Sequence, residues 1–132
     1  MPIKVLVADD NEIVRSALVR MLKADADLAV IGEAATFAET FKLVDLLKPD
    51  IVLLDLHMPD ESMHAPEAAK VKILQTAGCI LAISVWNDDV AKALAEQFGA
   101  KALIDKAHLF SELIPAIKLF CHSNSADESQ EH

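Results

Sequence analysis

The sequence predicts an α/β fold in which a five-stranded, doubly wound parallel sheet carries five helices on its two faces. Strand-like and helix-like segments alternate five times along the 132 residues. The strand-like runs are continuously apolar, which is typical of parallel strands buried on both faces. The hydrophobic fraction is 53%, above the roughly 45–50% of an average soluble protein, so a chain of this length can form one substantial core.

The first strand and helix are predicted from a change in hydrophobic period. "IKVLVA" at 3–8 is continuous and rich in β-branched residues, whereas 11–24 places apolar residues three and four positions apart. That second spacing is the one that buries one side of a helix. Asp10 and Asn11 are both candidate N-caps for this helix.

The next two strands enclose the second helix. "LAVIGEA" at 28–34 reads as a strand, and the helix is expected over 36–48. Thr36 is a suitable N-cap and Pro49 a stop. "DIVLLD" at 50–55 is then the third strand, and it ends on a carboxylate.

An irregular loop separates the third strand from the third helix, which is predicted over 67–78 with Gly78 as its end. "CILAISV" at 79–85 is the fourth strand. The fourth helix is expected over 88–98, closed by Gly99.

The last strand and helix are predicted at 101–105 and at roughly 109–121. Pro115 would remove a helical hydrogen bond, so either the regular helix starts near Ser111 or it bends at the proline. We expect a single domain over 1–122. The remainder, "SNSADESQEH" at 123–132, is almost without apolar residues and is predicted to be a disordered acidic tail.

Charge and hydropathy exclude several classes of partner. The net charge is −9 without a basic cluster, so direct binding to nucleic acid or to an anionic membrane is not expected. The longest uncharged apolar run, 79–86, is far shorter than the roughly 20 residues of a membrane span. The protein is predicted to be cytoplasmic.

Two cysteines, Cys79 and Cys121, lie in apolar contexts without metal-type or redox-type spacing. We interpret them as reduced, buried thiols in a reducing compartment.

Polar residues follow four of the predicted strands. Asp9 and Asp10 follow the first strand, Asp55 ends the third, Ser84 lies at the end of the fourth and Lys106 follows the fifth. Ligands of open parallel sheets bind outside the carboxyl ends of the strands. These five side chains are therefore expected to meet at one edge.

Taken singly, these residues have ordinary structural explanations: the acidic pair as a helix cap and first-turn charge, Ser84 as a satisfied hydroxyl and Lys106 as a surface charge. Together they indicate a site, because three crowded carboxylates require a compensating cation. Oxygen ligands suit Mg²⁺. With Lys106 and Ser84 facing it, Asp55 would be the nucleophile of a phosphoryl transfer.

The chain resembles the receiver domains of bacterial two-component response regulators, which are CheY-like, over about residues 3–121. The resemblance is carried by "VLVADDNEIVR", "DIVLLDLHMP", "ISVWNDD" and "FGAKALIDK". It implies a flavodoxin-like strand order 2-1-3-4-5. It also implies a signalling phosphoacceptor rather than an enzyme, with self-phosphorylation and self-dephosphorylation that depend on Mg²⁺.

By the same resemblance, Asp55 would accept the phosphoryl group from a sensor histidine kinase or phosphotransfer protein, with Ser84 and Lys106 as the switch hydroxyl and catalytic ammonium. Mg²⁺ would be bound directly by Asp10, Asp55 and the backbone carbonyl of His57, and through water by Asp9. A homodimer would form through helix four, strand five and helix five, at 88–121. Output would be a change in partner binding or dimerisation.

Four departures from the family pattern concern the readout and the active site. Leu103 stands where the family usually has an aromatic residue, a role that Trp86 could take over. Met63 replaces the family's glycine after the "MP" turn, which predicts a rebuilt loop. His57 and Val85 are bulkier than usual beside the phosphate, so we expect slow access of water and a long-lived phosphoryl group.

The resemblance is greatest to receivers that usually carry a C-terminal helix-turn-helix domain, so the chain is either a stand-alone receiver or a fragment of a longer regulator. The main alternative is a receiver-like adaptor that acts without phosphorylation. A haloacid-dehalogenase phosphatase would need a carboxylate at His57. A flavodoxin-like cofactor binder would need a Gly-rich phosphate loop where Asp9 and Asp10 stand.

Overall fold

The computed structural model of the protein describes residues 2–60, 67–85 and 88–121. Within these ranges, none of the helices has the length and apolar character needed to cross a membrane. Three of the sequence predictions concern residues outside the described ranges: the rebuilt loop at Met63, the role of Trp86 and the disordered tail at 123–132.

The sheet contains five strands that pair in parallel in the order β2-β1-β3-β4-β5. This confirms the predicted fold class and strand order. The strands are β1 (Ile3–Ala8), β2 (Leu28–Ala34), β3 (Ile51–Asp55), β4 (Cys79–Ser84) and β5 (Ala102–Asp105).

Helices cover both faces of the sheet. They are α1 (Glu12–Lys23), α2 (Phe37–Leu47), α3 (Ala68–Leu74), α4 (Asp89–Phe98) and α5 (Leu109–Phe120), with a 3₁₀ turn at Lys106–His108 before α5. Residues of α1 and α5 share one buried cluster, and residues of α2, α3 and α4 share the other.

The central strands supply residues to both of these clusters. In β1, Val5 and Val7 belong to the cluster with α1 and α5, whereas Leu6 and Ala8 belong to the cluster with α2, α3 and α4. This alternation follows from the pleat, which points successive side chains to opposite faces. All four are fully buried, which explains why the strand sequence is a continuous apolar run.

Side-chain caps start three of the helices, two at predicted residues and the third, Asp88, at a residue for which no cap was predicted. The side chain of Asn11 caps α1, that of Thr36 caps α2 and that of Asp88 caps α4, each by accepting a first-turn backbone N–H. Asp10, the second candidate cap for α1, does not serve as its N-cap. Gly99 ends α4 with φ of 78°, a conformation that glycine adopts without steric cost.

The end of α3 differs from the sequence prediction, and the start of α5 decides between two predicted alternatives. α3 ends at Leu74 rather than at Gly78, because the next amides turn back to carbonyls three residues earlier, such as Ala77 N to Leu74 O at 3.1 Å. α5 begins at Leu109, in agreement with the predicted range, so of the two alternatives raised by Pro115 the later start near Ser111 is excluded. The helix continues through Pro115, which has no N–H to donate to the carbonyl four residues before it.

The prediction of reduced thiols is also wrong, because Cys79 and Cys121 form a disulfide with their Cα atoms 5.6 Å apart. β4 begins where α5 ends, and this brings together two residues that are 42 positions apart in sequence. Local spacing carries no information about such a pairing. The inference of a reducing compartment from these cysteines therefore loses its basis.

We expect reduction of the Cys79–Cys121 disulfide to lower the free energy of unfolding by about 2–4 kcal/mol, because the bond constrains the unfolded chain over a long loop. The measurement is urea unfolding with and without a thiol reductant. A variant with both cysteines changed to alanine is the control and should not respond to the reductant. Identical unfolding of the wild type in both conditions would contradict the prediction.

Asp60 is a second anchor for the start of α2. Its carboxylate accepts hydrogen bonds from the backbone N–H groups of Phe37 at 2.7 Å and Ala38 at 2.9 Å. Partial burial opposes the charged form, but the bonds from Ala38 and Phe37 and the charge of Lys70 outweigh it and lower the pKa of Asp60. The loop after β3 is thereby attached to the positive end of α2.

Asp60→Asn is expected to lower the free energy of unfolding by roughly 0.3–1 kcal/mol near neutral pH, because it removes a negative charge from the start of α2. Because the pKa is lower in the folded protein than its ordinary value of 3.8, this stabilisation is present above about pH 4 and is lost as pH falls through the folded value. Urea unfolding of wild type and variant at several pH values tests this.

The matched control is Asp45→Asn, which removes the same charge from the exposed Asp45–Lys48 pair at the other end of α2. Surface pairs of this kind contribute little. A pH-independent difference between wild type and Asp60→Asn would contradict the assignment.

Candidate functional site

The five polar residues singled out from the sequence lie at the carboxyl edge of the sheet. Asp55 and Ser84 are the last residues of β3 and β4, and Asp9 and Lys106 directly follow β1 and β5. Asp10 adjoins Asp9 at the start of the turn into α1. Because all the strands are parallel, their ends face the same side, and the polar residues converge there.

Lys106 lies between two buried carboxylates. Its Nζ atom is 3.0 Å from Asp9 Oδ2 and 3.3 Å from Asp55 Oδ2. The side chains of Asp9 and Asp55 are 0% and 2% exposed, and that of Lys106 is 17% exposed. Charges this far from water interact more strongly than surface ion pairs do, so the ammonium fixes the two carboxylates relative to each other.

Asp10 completes a cluster of three carboxylates. One oxygen from each of Asp9, Asp10 and Asp55 lies within 4.8 Å of the others. Asp10 is exposed, so the cluster opens to solvent on its side. Three negative charges face one ammonium in this cluster, which leaves it with a net attraction for a further cation.

One oxygen of the cluster supports a cation site directly. Asp9 Oδ2 is buried, and its partner in the described part of the chain is the ammonium of Lys106, 3.0 Å away. A carboxylate oxygen has two lone pairs, so one ammonium leaves it able to accept from a further cation or its bound water. An all-oxygen donor set with such an atom fits a hard divalent cation.

The pKa of Asp55 is raised to about 6. Burial is the main cause, and the charge of Asp9 and a hydrogen-bonded contact with Asp10 act in the same direction. The N–H of His57 and the charge of Lys106 oppose the shift without cancelling it. Burial also acts to lower the pKa of Lys106, but Asp9 and Asp55 outweigh it and raise that pKa.

Short backbone turns aim the carboxylates. Asp55 Oδ1 accepts a hydrogen bond from His57 N at 3.0 Å, and Asp9 Oδ1 accepts one from Asn11 N at 2.8 Å. Both are bonds from a side chain to the backbone two residues on, a pattern that Asp forms readily where a strand ends. The remaining oxygens, both Oδ2, are the ones that face Lys106.

The sequence predicted a role for the backbone carbonyl of His57 and for the bulk of its side chain, but not the contact of that side chain with Ser84. His57 Nε2 lies 3.0 Å from Ser84 Oγ, and Ser84 is fully buried. The two residues are 27 positions apart on neighbouring strand ends, so no sequence spacing could have revealed the contact. Val85 is half exposed next to this pair, and Leu103 packs partly buried against the cluster of α2, α3 and α4.

Comparison with known proteins places the chain in a family. The family model described as "Response regulator receiver domain" matches residues 5–118. The response regulator GacA of Pseudomonas syringae is 38% identical over 120 residues, which are 89% of this chain and 54% of GacA. The transcriptional regulatory protein PdtaR of Mycobacterium tuberculosis is 33% identical over 121 residues, 90% of this chain and 57% of PdtaR. The chain thus spans about half the length of these curated relatives.

Solved structures agree with that assignment. The signal receiver domain of the putative response regulator NarL from Mycobacterium tuberculosis has a TM-score of 0.76 at 30% identity, covering 89% of this chain and 94% of that one. The response regulator domain of Thermotoga maritima CheB shares the fold, with a TM-score of 0.76 at 23% identity over 94% of this chain and 99% of its own. The chain therefore belongs to the receiver domain family of two-component response regulators.

Proposed function

We propose that the protein is a phosphorylatable receiver that accepts a phosphoryl group on Asp55 in the presence of Mg²⁺. The observation that carries this proposal is the position of Asp55 in a cluster of three carboxylates, with the ammonium of Lys106 only 3.3 Å from its Oδ2 atom. A carboxylate between a cation site and a fixed ammonium is suited to act as a nucleophile toward phosphorus.

The cation would be held by Asp10, Asp55 and the backbone carbonyl of His57, with Asp9 acting through water. When bound, it supplies positive charge to the oxygens of the transferring phosphoryl group. Asp55 must be ionised to attack. Its pKa of about 6 leaves it largely ionised near neutral pH even before a cation is bound.

The donor in this proposal is a phosphohistidine of a sensor histidine kinase or a phosphotransfer protein. An oxygen of Asp55 forms the new P–O bond as the P–N bond of the donor breaks, and the electron pair leaves with the donor imidazole. Lys106 is already oriented by two carboxylates and neutralises charge on the phosphoryl oxygens. Ser84 donates a hydrogen bond to one of those oxygens.

The output would be a change in partner binding or homodimerisation through α4, β5 and α5. Four large apolar side chains are exposed on these two helices: Val90 of α4 at 75%, and Phe110 at 50%, Leu119 at 66% and Phe120 at 40% on α5. Exposed apolar side chains of this size are suited to a protein interface. β5 connects this surface to the site, because Lys106 directly follows it.

Incubation with acetyl phosphate and Mg²⁺ should add one phosphoryl group to the wild type and none to Asp55→Asn, as read by intact mass. Asp50→Asn is the matched control, since Asp50 lies at the opposite end of β3 and accepts a hydrogen bond from Lys4 N. That variant should be phosphorylated like the wild type. An unmodified wild type would favour the adaptor that acts without phosphorylation, whereas a modified Asp55→Asn would show that a residue other than Asp55 accepts the phosphoryl group.

The rate of phosphoryl loss should rise several-fold in His57→Ala and in Val85→Ala. His57 contacts Ser84 at 3.0 Å and Val85 follows it, so both occupy space through which water would reach the phosphoryl group. The decay of the phosphorylated mass species after removal of acetyl phosphate measures this rate. Decay as slow as in the wild type in both variants would exclude this shielding role.

A further inference from the structure

Arg15 forms hydrogen bonds to the backbone beside the carboxylate cluster and to an acidic side chain of β2. Its Nη1 atom donates a hydrogen bond to the backbone carbonyl of Asp9 at 2.7 Å. Its Nε atom donates to Glu33 Oε1 at 3.1 Å. The guanidinium therefore joins α1 and β2 to the end of β1.

Together with the bond from Arg15, two further hydrogen bonds hold the backbone at Asp9 in place. Asp9 N donates to the carbonyl of Ala34 at 2.9 Å, and Asp9 Oδ1 accepts from Asn11 N at 2.8 Å. Its carbonyl, bound by Arg15, belongs to the peptide unit that leads into Asp10. Because a peptide unit is planar, fixing that carbonyl fixes the direction in which the chain enters Asp10.

Asp10 depends on this backbone for its position. It is exposed, unlike the buried Asp9 and Asp55, so packing constrains its carboxylate less than theirs. A cation site needs its oxygens held in place, and groups behind the ligands commonly do this.

We propose that Arg15 is a positioning residue that orients the Asp9–Asp10 peptide and thereby sets the affinity of the carboxylate cluster for a divalent cation. This inference rests on the proposed function, in which that cluster binds Mg²⁺. Glu33 accepts a hydrogen bond from Arg15 Nε and thereby helps to orient the guanidinium.

A plain surface ion pair would be the simpler explanation of Arg15 and Glu33, and such pairs contribute little. Two features speak against it: the Arg15 side chain is only 17% exposed, and its bond to the Asp9 carbonyl is short and charge-assisted.

The sign of the effect separates positioning from charge. The guanidinium is positive, so by charge alone it weakens the binding of a cation nearby, and its removal would tighten binding. If Arg15 positions the Asp9–Asp10 peptide, its removal weakens binding.

The test is the dissociation constant of Mg²⁺, followed by the changes it causes in backbone amide chemical shifts of the full chain. Arg15→Gln should raise this constant roughly tenfold, and Glu33→Gln should raise it less. Arg15→Lys keeps the charge but lacks the planar fork that serves two acceptors, so it should also bind Mg²⁺ more weakly than the wild type. Arg20→Gln removes the same charge from an exposed position on α1 and should not weaken binding.

Thermal unfolding without metal is measured on every variant, so that binding is compared only among folded proteins. An unchanged or lower dissociation constant in Arg15→Gln, or a wild-type constant in Arg15→Lys if the glutamine variant does not fold, overturns the inference while leaving the proposed function intact. Absence of any Mg²⁺-dependent shift in the wild type overturns both.

Discussion

The pairing of Lys106 with Asp9 and Asp55 depends on every strand ending on the same side of the sheet. The three residues belong to segments that are about 50 positions apart along the chain. The parallel sheet places the ends of β1, β3 and β5 at one edge, so short connections are enough to bring these residues together. Asp9 and Asp55 are almost fully buried, so a missing ammonium would leave charge in a region of low dielectric. The helices on both faces provide that burial, and the sheet order places β1, β3 and β4 in the middle, where it is greatest.

The three carboxylates of the site are not constrained equally. Asp9 and Asp55 are fixed by ion pairing, by burial and by turns that bond their own side chains to the following backbone. Asp10 is exposed and relies on the backbone that Arg15 secures. In the proposed function, a cluster with two rigid carboxylates and one on the solvent side would admit a cation and a phosphoryl group from outside while Asp55 keeps one orientation.

The sequence was sufficient for the parts of the fold that depend on local pattern. Continuous apolar runs and helical spacing located all the strands and helices, and short-range chemistry located the caps at Asn11 and Thr36. What it could not supply were contacts between distant segments. The Cys79–Cys121 bond, the His57–Ser84 contact and the attachment of Asp60 to α2 each join residues more than 20 positions apart, and none leaves a spacing rule in the chain. The end of α3 was misplaced because a glycine can follow a tightened turn as readily as it can cap a helix.

The disulfide gives β4 two unequal ends. At Cys79 the strand is covalently joined to the end of α5, whereas the contacts of its Ser84 end, among them the one with His57, are noncovalent. If β4 moves when Asp55 is modified, its displacement is therefore expected to be larger at Ser84 than at the crosslinked Cys79. The crosslink thus restrains the end of β4 that is remote from Asp55, and α5 shares that covalent restraint.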